Sequence, residues 1–186
     1  MERATDRLHF TADDDANRLL AEDPLALLIG FVLDQQVTVQ KAFSGPLELK
    51  LRLGGLDAGE IAGLETAELE RVFAARPALH RFPGAMARRV QELARAIVSE
   101  YGGRAERVWA DAADARDLKR RLLALPGMGD MKTRSLLAVL AKRLGVELDG
   151  WEDVLPAHPT LGDVDSPQAL EEYQAGKRAA KAAARA

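Results

Sequence analysis

The sequence predicts an all-α fold, and three observations support that prediction. Alanine, leucine, arginine and glutamate dominate the chain, and all four have high helix propensity. The β-branched residues that favour strands are sparse. Capping residues, glycines and prolines divide the chain into segments of helical length. With 186 residues, 47% of them hydrophobic, the chain is long enough for one domain, built as two small lobes that share a core.

Start and stop signals place the helices in order. Thr11 can cap a first helix over 12–21, with acidic residues near its positive end. Asp23-Pro24 starts a very apolar second helix over about 25–43, which should be central, and Gly45-Pro46 should break it. Further helices are predicted at about 47–53, 57–63, 66–75, 85–101, 108–110, 114–125, 132–144 and, with Asp165 as N-cap, 165–180. The segment 146–162 is predicted to be an irregular loop.

These elements predict one domain over 1–186. A helical lobe covers about 25–145, and the terminal helices 12–21 and 165–180 complete a second lobe. The chain has no cysteine, which excludes disulfides and cysteine-ligated iron–sulfur or zinc sites. It also shows no long apolar run and no signal peptide, so a cytoplasmic protein with no membrane partner is expected.

The segment 125–133 joins two helical patterns through a turn with a glycine on each side of one apolar residue. Gly127 and Gly129 allow backbone angles closed to other residues and close approach of another molecule. The next helix should begin with unpaired N–H groups, which together with the helix dipole form a phosphate site, and Lys132 can add a full charge. These features predict a helix-hairpin-helix at about 114–145 that grips a nucleic-acid backbone, although Gly-x-Gly alone fits a plain αα-corner equally well.

Charge around this turn favours the phosphate grip. From Lys119 to Arg143 there are seven basic residues and one acidic residue, whereas the whole chain has a net charge of −3. A local concentration of positive charge is what a phosphate contact needs. The negative total counts against a generally basic DNA-binding domain, so weak, salt-sensitive affinity for undamaged DNA is expected. The residues of this region predicted to contact DNA are Gly127, Met128, Gly129, Lys132, Thr133 and Arg134.

A second feature is the pair Gln35-Gln36, which directly follows the apolar run of the second helix. A buried amide costs stability unless it is paired. One interpretation is that both glutamines cap the lobe and bond to loop backbone. The other is that one of them projects into a cleft and fills the gap left in a duplex when a nucleotide swings out. Both glutamines are therefore candidate DNA-binding residues.

Taken together, three segments in this order resemble the helix-hairpin-helix (HhH-GPD) DNA glycosylase superfamily, which includes endonuclease III, the adenine glycosylases and the alkyl-base glycosylases. They are 24–42, with its Gln-Gln-Val-Thr turn, 85–103, and the hairpin 125–129. The match spans about 23–145, with a looser match through Lys177, and is most similar to a small actinobacterial branch without an iron–sulfur cluster. The resemblance implies a two-lobed helical glycosylase-like fold.

The resemblance also implies base flipping, a duplex wedge at Gln36, and cleavage of the N-glycosidic bond assisted by a carboxylate. The family's spacing from Gly129 leads to Asp149, where no helix signal begins. Asp165 has the expected context at the start of a helix but lies farther along, and Asp163 lies two residues before it. We favour Asp165, then Asp163, then Asp149. Each also has a plain interpretation as a helix cap or a surface acid.

Family members that also cut the strand carry a lysine two residues after the second hairpin glycine. That position is Met131 here, and Lys132 comes one residue later, about 100° farther around the helix. Lys132 should then point to phosphate, and the enzyme should be monofunctional, without Schiff-base chemistry. Hairpins of this kind can hold a monovalent cation on backbone carbonyls, and 127–129 could do so. No other metal or cofactor is expected.

Three functions remain open at this stage. The first is base excision DNA repair by a monofunctional glycosylase, a hydrolase acting on damaged or abasic double-stranded DNA as a monomer associated with the nucleoid. The second is a non-catalytic helix-hairpin-helix DNA-binding protein that lacks a functional aspartate. The third is an all-helical protein-interaction domain.

Overall fold

The computed structural model of the protein describes residues 5–186. Over these residues the chain forms eleven α-helices and one 3₁₀ turn, and no β-strand, which confirms the predicted all-α class. The helices are α1 Asp14–Glu22, α2 Pro24–Leu33, α3 Val39–Leu53, α4 Ala58–Gly63, α5 Thr66–Ala74, α6 Pro83–Tyr101, α7 Arg107–Ala110, α8 Ala115–Ala124, α9 Asp130–Lys142, α10 Trp151–Val154 and α11 Pro167–Arg185; the 3₁₀ turn is Leu161–Asp163. None of these helices is both long and apolar enough to cross a membrane.

Helix α2 is the centre of the fold, as its apolar sequence predicts. Every residue after its first proline is buried, and the helix packs against α1, α3 and α6. The ring of Phe43 on α3 meets Phe31 edge-on, with centroids 5.1 Å apart. Gly30 makes this approach possible, because a Cβ there would lie 2.5 Å from the Phe43 ring. Burial of this helix fixes where its C-terminal end emerges, and the site begins at that end.

The predicted single helix over 25–43 is wrong. Helix α2 ends at Leu33, and a five-residue break separates it from α3. The side chain of Thr38 caps α3 by accepting a hydrogen bond from the Lys41 N–H at 3.1 Å. The predicted break at Gly45-Pro46 is also wrong, since α3 continues through Pro46, which costs the helix a backbone N–H but does not end it. The glutamine pair therefore lies in a loop between two helices.

Two predicted helix caps are replaced by neighbouring residues. Asp13, not Thr11, caps α1, and Ser166, not Asp165, caps α11 through a bond from the Ala169 N–H at 3.1 Å. In both cases the side chain that reaches the free N–H groups is one or two residues closer to the helix than predicted. The predicted loop over 146–162 contains α10 and the start of the 3₁₀ turn.

Several elements pack around the hairpin between α8 and α9 and around α9 itself. The C-terminal end of α2 and the first half of α6 both contact the hairpin, since a Cβ built on Gly127 would lie 3.2 Å from Val32 and from Arg89. On the other side of α9, Gly162 of the 3₁₀ turn lies against the backbone of Ala138. Helix α11 rests on this turn, with Leu170 buried beneath it. The fold thus brings the loop after α2, the hairpin and α11 to one region.

Candidate nucleic-acid interface

The hairpin presents the start of α9 to solvent. Gly127 has φ +80°, in the left-handed region, whereas Gly129 has φ −84° and ψ 177°, an extended conformation open to any residue. Of the two glycines, only Gly127 therefore has backbone angles that favour glycine over other residues. Helix α9 has no side-chain cap, and its first helical bond runs from the Thr133 N–H to the Gly129 carbonyl. The N–H groups of the three residues before Thr133 are therefore free of helical partners, and Met131 beside them is 79% exposed.

Lys132 does not extend outward, contrary to the expectation that it points to phosphate. Its Nζ donates to the carbonyl oxygens of Val32 at 3.1 Å and Gly127 at 3.3 Å. The carbonyls at the end of α2 have no helical partners, and the ammonium satisfies one of them. Burial lowers the pKa of Lys132, and the negative charge of Asp34 opposes that shift. Lys132 therefore ties the hairpin to the end of α2.

This bond also bears on the cation that the hairpin was expected to hold. A metal ion on the Gly127 carbonyl would lie beside the Lys132 ammonium, and the two positive charges would repel each other. The hairpin carbonyls do not fit a second cation, and we assign it no role. Among the described residues, no three His, Asp or Glu side chains form a group that could hold a metal ion.

Two other predicted DNA contacts of the hairpin are buried. The Met128 side chain is 6% exposed, and Thr133 is fully buried on the inner face of α9. Their backbone N–H groups are also engaged, since Met128 donates to the Leu125 carbonyl at 3.2 Å and Thr133 to the Gly129 carbonyl at 2.9 Å. Arg134 is only partly available to a DNA strand, because it already forms an ion pair. Its Nε lies 2.8 Å from the Asp130 carboxylate one helical turn earlier.

The basic cluster around the hairpin is largely neutralised. Four of its seven cations pair with carboxylates: Arg120 and Arg121 with Asp117, Arg134 with Asp130, and Lys142 with Asp163. Sequence counting could not anticipate this, because Asp117 and Asp163 lie outside the counted segment. Arg89 of α6 is exposed beside the hairpin and has no carboxylate partner among residues 5–186. Arg89 is a candidate DNA contact that its local sequence does not reveal.

The two glutamines of the pair have different environments. Gln35 is half-buried, and its Nε2 donates to the Val32 carbonyl at 3.1 Å, so it caps the end of α2. Gln36 is exposed and has φ +55°, which makes it the one residue other than glycine with positive φ among the described residues. Such a conformation costs about 1–2 kcal/mol and persists only where the surroundings hold it. The strain sits at the residue predicted to enter DNA.

Buried His80 holds this loop in place. Its Nε2 lies 3.1 Å from the Leu33 carbonyl and 3.0 Å from the Gln35 carbonyl, and its Nδ1 accepts the Phe82 N–H at 2.9 Å. Because a backbone N–H can only donate, Nδ1 carries no proton, and the ring is the neutral Nε2–H tautomer. Burial lowers the pKa of His80 and outweighs the hydrogen bonds to the Gln35 and Leu33 carbonyls, which raise it; the positive charges of Lys41 and Lys132 add to the lowering. The histidine thus connects the Gln36 loop to the segment before α6.

This arrangement predicts acid sensitivity of folding. The pKa of His80 is lower in the folded than in the unfolded protein, so the unfolded state binds more protons as the pH falls below about 6.5. His80 therefore contributes stability above that pH and loses it below. Urea unfolding at pH 7.5 and 5.5 should show a larger loss for the wild type than for His80→Gln, which cannot titrate. The exposed His158, changed to Gln, is the matched control; equal pH dependence in all three proteins would contradict the assignment.

Phe82 is a further exposed group next to the Gln36 loop. It is 40% exposed, and its position is fixed through its bond to His80. The Arg81 guanidinium lies 5.4 Å from the ring centroid. An exposed aromatic ring with an adjacent cation is suited to stacking on a base near a phosphate. The exposed ring and its neighbouring cation can be read from Arg81-Phe82-Pro83 in the sequence. Their closeness to the Gln36 loop cannot, because Gln36 lies far away along the chain.

Two of the three predicted catalytic aspartates, Asp149 and Asp163, lie toward the other end of the hairpin helices. Asp149 is exposed, and its carbonyl accepts the N–H of Ala115 at the start of α8, whereas the hairpin follows the end of that helix. Asp163 pairs with Lys142 at 2.6 Å. Lys142 is the last residue of α9, a helix of 13 residues, so it lies about 18 Å along the axis from the hairpin. Asp165 is exposed two residues farther on.

Asp163 has a structural role in its own turn. It accepts the Thr160 N–H at 2.8 Å while Thr160 caps the 3₁₀ turn, which is a reciprocal capping box. Burial alone would raise the pKa of Asp163, but the hydrogen bonds from Lys142 and Thr160 outweigh burial and lower it. The Asp163 carboxylate is therefore ionised and already bonded to Lys142 and Thr160.

Asp34, which the sequence analysis did not single out, lies at the junction of α2 and the Gln36 loop. It is half-buried, and burial raises its pKa, while the charges of Lys177 and Lys132 oppose that rise. The available signal was an aspartate directly after nine buried residues. Its proximity to Lys132 and Lys177 depends on the fold and is not visible in the sequence.

Comparison with known proteins identifies the family of the chain. No curated protein and no solved structure matches the chain. The family model described as HhH-GPD superfamily base excision DNA repair protein matches residues 29–143. The matched segment is more than half of the chain and contains the Gln36 loop, α6 and the hairpin. The chain therefore belongs to the HhH-GPD superfamily of base excision DNA repair proteins.

Proposed function

We propose that the protein is a monofunctional DNA glycosylase that extrudes a damaged nucleotide and hydrolyses its N-glycosidic bond. The observation that carries the proposal is the connection between Gln36 and the hairpin. Lys132 bonds both to the end of α2, from which the Gln36 loop emerges, and to the hairpin carbonyl of Gly127. An intercalating side chain and a backbone grip are thereby held in fixed relation. Family membership implies a DNA substrate.

In this proposal the hairpin binds one strand through main-chain N–H groups. The free N–H groups of residues 130–132 face solvent at the positive end of α9, where an anion is stabilised. Beside them, Arg89 adds a cation that has no carboxylate partner among the described residues. Arg134 adds a cation that is also paired with Asp130. Gln36 fills the gap left by the extruded nucleotide, and Phe82 stacks on a neighbouring base. The contacts are to backbone and to stacked faces, so binding depends on the lesion and not on sequence.

A recess beside α11 can receive the extruded base. It has a volume of about 480 Å³ and lies between the segment 158–164 and one face of α11. Tyr173 and Lys177 line it from α11, and Asp163 lines it from the opposite segment. The helix is tied to the Gln36 side of the molecule by a reciprocal amide pair between Gln40 and Gln174, with bonds of 3.0 and 2.8 Å. A largely apolar wall with one ring suits a flat base.

The first test is binding to a fluorescein-labelled duplex that carries a tetrahydrofuran abasic site. The expected result is tighter binding than to the undamaged duplex, with affinity for both falling as salt rises, because phosphate contacts release counterions. A panel of duplexes carrying alkylated, oxidised and deaminated bases then identifies the excised lesion. Absence of any salt-dependent affinity would contradict a DNA function and favour a protein-interaction domain.

Monofunctional action makes a separate prediction. Strand cleavage should appear only after alkali treatment of the product, and borohydride should trap no covalent adduct on abasic DNA. The physical reason is that the Lys132 Nζ donates to two carbonyls and is held away from the exposed start of α9. The Lys132→Met variant is the control, since loss of a trapped adduct in that variant would assign Schiff-base chemistry to Lys132 and overturn the prediction.

The second candidate function is DNA binding without catalysis. It is favoured by the positions of Asp149 and Asp163, which lie at the helix ends away from the hairpin. Asp165 remains the first of the three as a catalytic candidate, since it is exposed and forms no ion pair within the described residues. Binding to the abasic duplex without excision of any base in the panel would select this second function.

A further inference from the structure

Asp34 is an unpartnered carboxylate in the region where α2, α9 and α11 meet. It follows the last residue of α2 with φ −76° and ψ 68°, angles that leave the helix and turn the chain into the Gln36 loop. It is half-buried, and among the described residues its carboxylate accepts no hydrogen bond and forms no ion pair. Buried polar groups in proteins almost always have a protein or water partner, so an acceptor that lacks a protein partner calls for an explanation.

Two positive charges face Asp34 from different elements. Lys132 of α9 and Lys177 of α11 both interact with it electrostatically, and neither comes within ion-pair distance. Lys132 is engaged with the Val32 and Gly127 carbonyls, and the Lys177 ammonium lies 5.4 Å from the Tyr173 ring centroid. The carboxylate thus keeps its lone pairs free for a group that enters from outside.

The position of Asp34 relative to the wedge is fixed by the chain. Only Gln35 separates it from Gln36, and Gln35 is bonded back to Val32 while its carbonyl is held by His80. When a side chain occupies the gap left by an extruded nucleotide, the sugar of that nucleotide lies directly beside the gap. A carboxylate two residues from the inserting side chain is therefore close to that sugar. Lys177, which lines the proposed base recess, also interacts electrostatically with Asp34.

We propose that Asp34 is the carboxylate that faces C1′ and O4′ of the extruded nucleotide in the glycosidic bond cleavage. This assignment rests on the proposed glycosylase function. It differs from the three aspartates after the hairpin. Asp149 and Asp163 lie at helix ends remote from the hairpin, and Asp163, although it lines the proposed base recess, is already paired with Lys142. Lys132 and Lys177 then have a second role: their positive charges oppose the rise in the Asp34 pKa that burial causes, and so favour the ionised form that this step needs.

The step balances with water as the only co-reactant. The C1′–N bond breaks, and its electron pair leaves with the base, while the Asp34 charge stabilises the positive charge that develops on C1′ and O4′. A water oxygen then bonds to C1′ and gives a proton to the Asp34 carboxylate. A base that leaves as an anion takes a proton from solvent, and Asp34 releases its own proton to solvent. The products are the free base and an abasic sugar.

The test compares two abasic analogues in the same duplex: neutral tetrahydrofuran and a cationic pyrrolidine that mimics the charged sugar. The wild type should bind the pyrrolidine duplex at least tenfold more tightly. D34N should lose that preference and keep its affinity for the tetrahydrofuran duplex within about threefold. D15N, which changes an exposed carboxylate on α1, is the matched control and should retain the preference. Melting curves check folding, and D34N should melt no lower than the wild type at pH 7, because burial disfavours the charge that the variant removes.

Each outcome decides a different question. Loss of the preference in D34N alone supports the assignment. If the wild type binds the tetrahydrofuran duplex and shows no preference for the cation, Asp34 does not face the sugar, while the DNA function stands. If D165N or D163N removes the preference and D34N retains it, the carboxylate is the one after the hairpin and the proposal is overturned. If no abasic duplex is bound at all, the proposed function itself fails, and the Asp34 assignment falls with it.

Discussion

Replacing Gln36 with glycine should make the protein more stable and weaken its binding to an abasic duplex. Gln36 has φ +55°, which costs a residue with a Cβ about 1–2 kcal/mol, and glycine removes that cost. Part of the gain is offset because glycine is more flexible in the unfolded chain. The exposed side chain of Gln36 makes no hydrogen bond within the described residues, so its removal breaks no contact that stabilises the fold.

The expected loss in binding is at least tenfold, or about 1.4 kcal/mol, for a tetrahydrofuran duplex, because the gap in the duplex is left unfilled. Affinity for an undamaged duplex should change little, since it depends on phosphate contacts. Urea unfolding and fluorescence anisotropy measure the two effects on the same preparation. Opposite signs for stability and binding are expected only if the strain at Gln36 serves the interaction with DNA.

Two control variants separate the conformation from the side chain. Gln36→Asn keeps an amide and tolerates left-handed angles, so it should match glycine more closely in stability and glutamine more closely in binding. Gln35→Ala removes the bond to the Val32 carbonyl and should lower stability slightly while leaving the abasic preference intact. Unchanged affinity in Gln36→Gly together with a loss in Gln35→Ala would transfer the wedge role to Gln35.

The second large effect is expected at the hairpin glycines, where Gly127→Ala and Gly129→Ala should behave differently. At Gly127 the angle φ +80° costs alanine about 1–2 kcal/mol, and the new Cβ would lie 3.2 Å from Val32 and Arg89. A total loss of about 2–3 kcal/mol corresponds to a decrease in melting temperature of about 5–10 °C for a chain of this size. Because Gly127 accepts from Lys132, a shift of this residue also loosens the hairpin from α2.

Gly129→Ala should leave the fold intact and weaken DNA binding. Its angles are open to any residue, and no atom lies within 4 Å of the added Cβ. The change in stability should stay within about 0.5–1 kcal/mol, and it can be positive because alanine restricts the unfolded chain. The methyl group would stand in open space at the N-cap of α9, where we expect the phosphate to approach. Affinity for both damaged and undamaged duplexes should therefore fall by a similar factor.

Thermal unfolding and binding at two salt concentrations distinguish the two variants. If Gly129→Ala binds both duplexes like the wild type, the start of α9 does not contact phosphate, and the grip must lie elsewhere. If Gly127→Ala melts within a degree of the wild type, the contact of the hairpin with α2 and α6 contributes little to stability. Either result would require a different account of the interface.

The sequence by itself determined the helical class, the family and the hairpin between α8 and α9. These depend on neighbouring residues: helix propensity, a cap such as Asp114 for α8, and a glycine at a turn that needs φ +80°. It also predicts a wedge role for Gln36, because the order of three segments along the chain carries the resemblance. It failed inside 25–43, where an apolar run gave no sign that Thr38 starts a new helix, and where a helix continues through Pro46.

Only the tertiary structure decided which polar side chains are available for chemistry. Lys132 and Thr133 are adjacent on α9, yet one bonds to the end of α2 and the other is buried, because rotation about the helix axis sends them to different partners. His80 and Asp34 owe their roles to residues distant in the chain. Desolvation and charge at a point depend on everything packed around it, and a sequence specifies that environment only once it has folded.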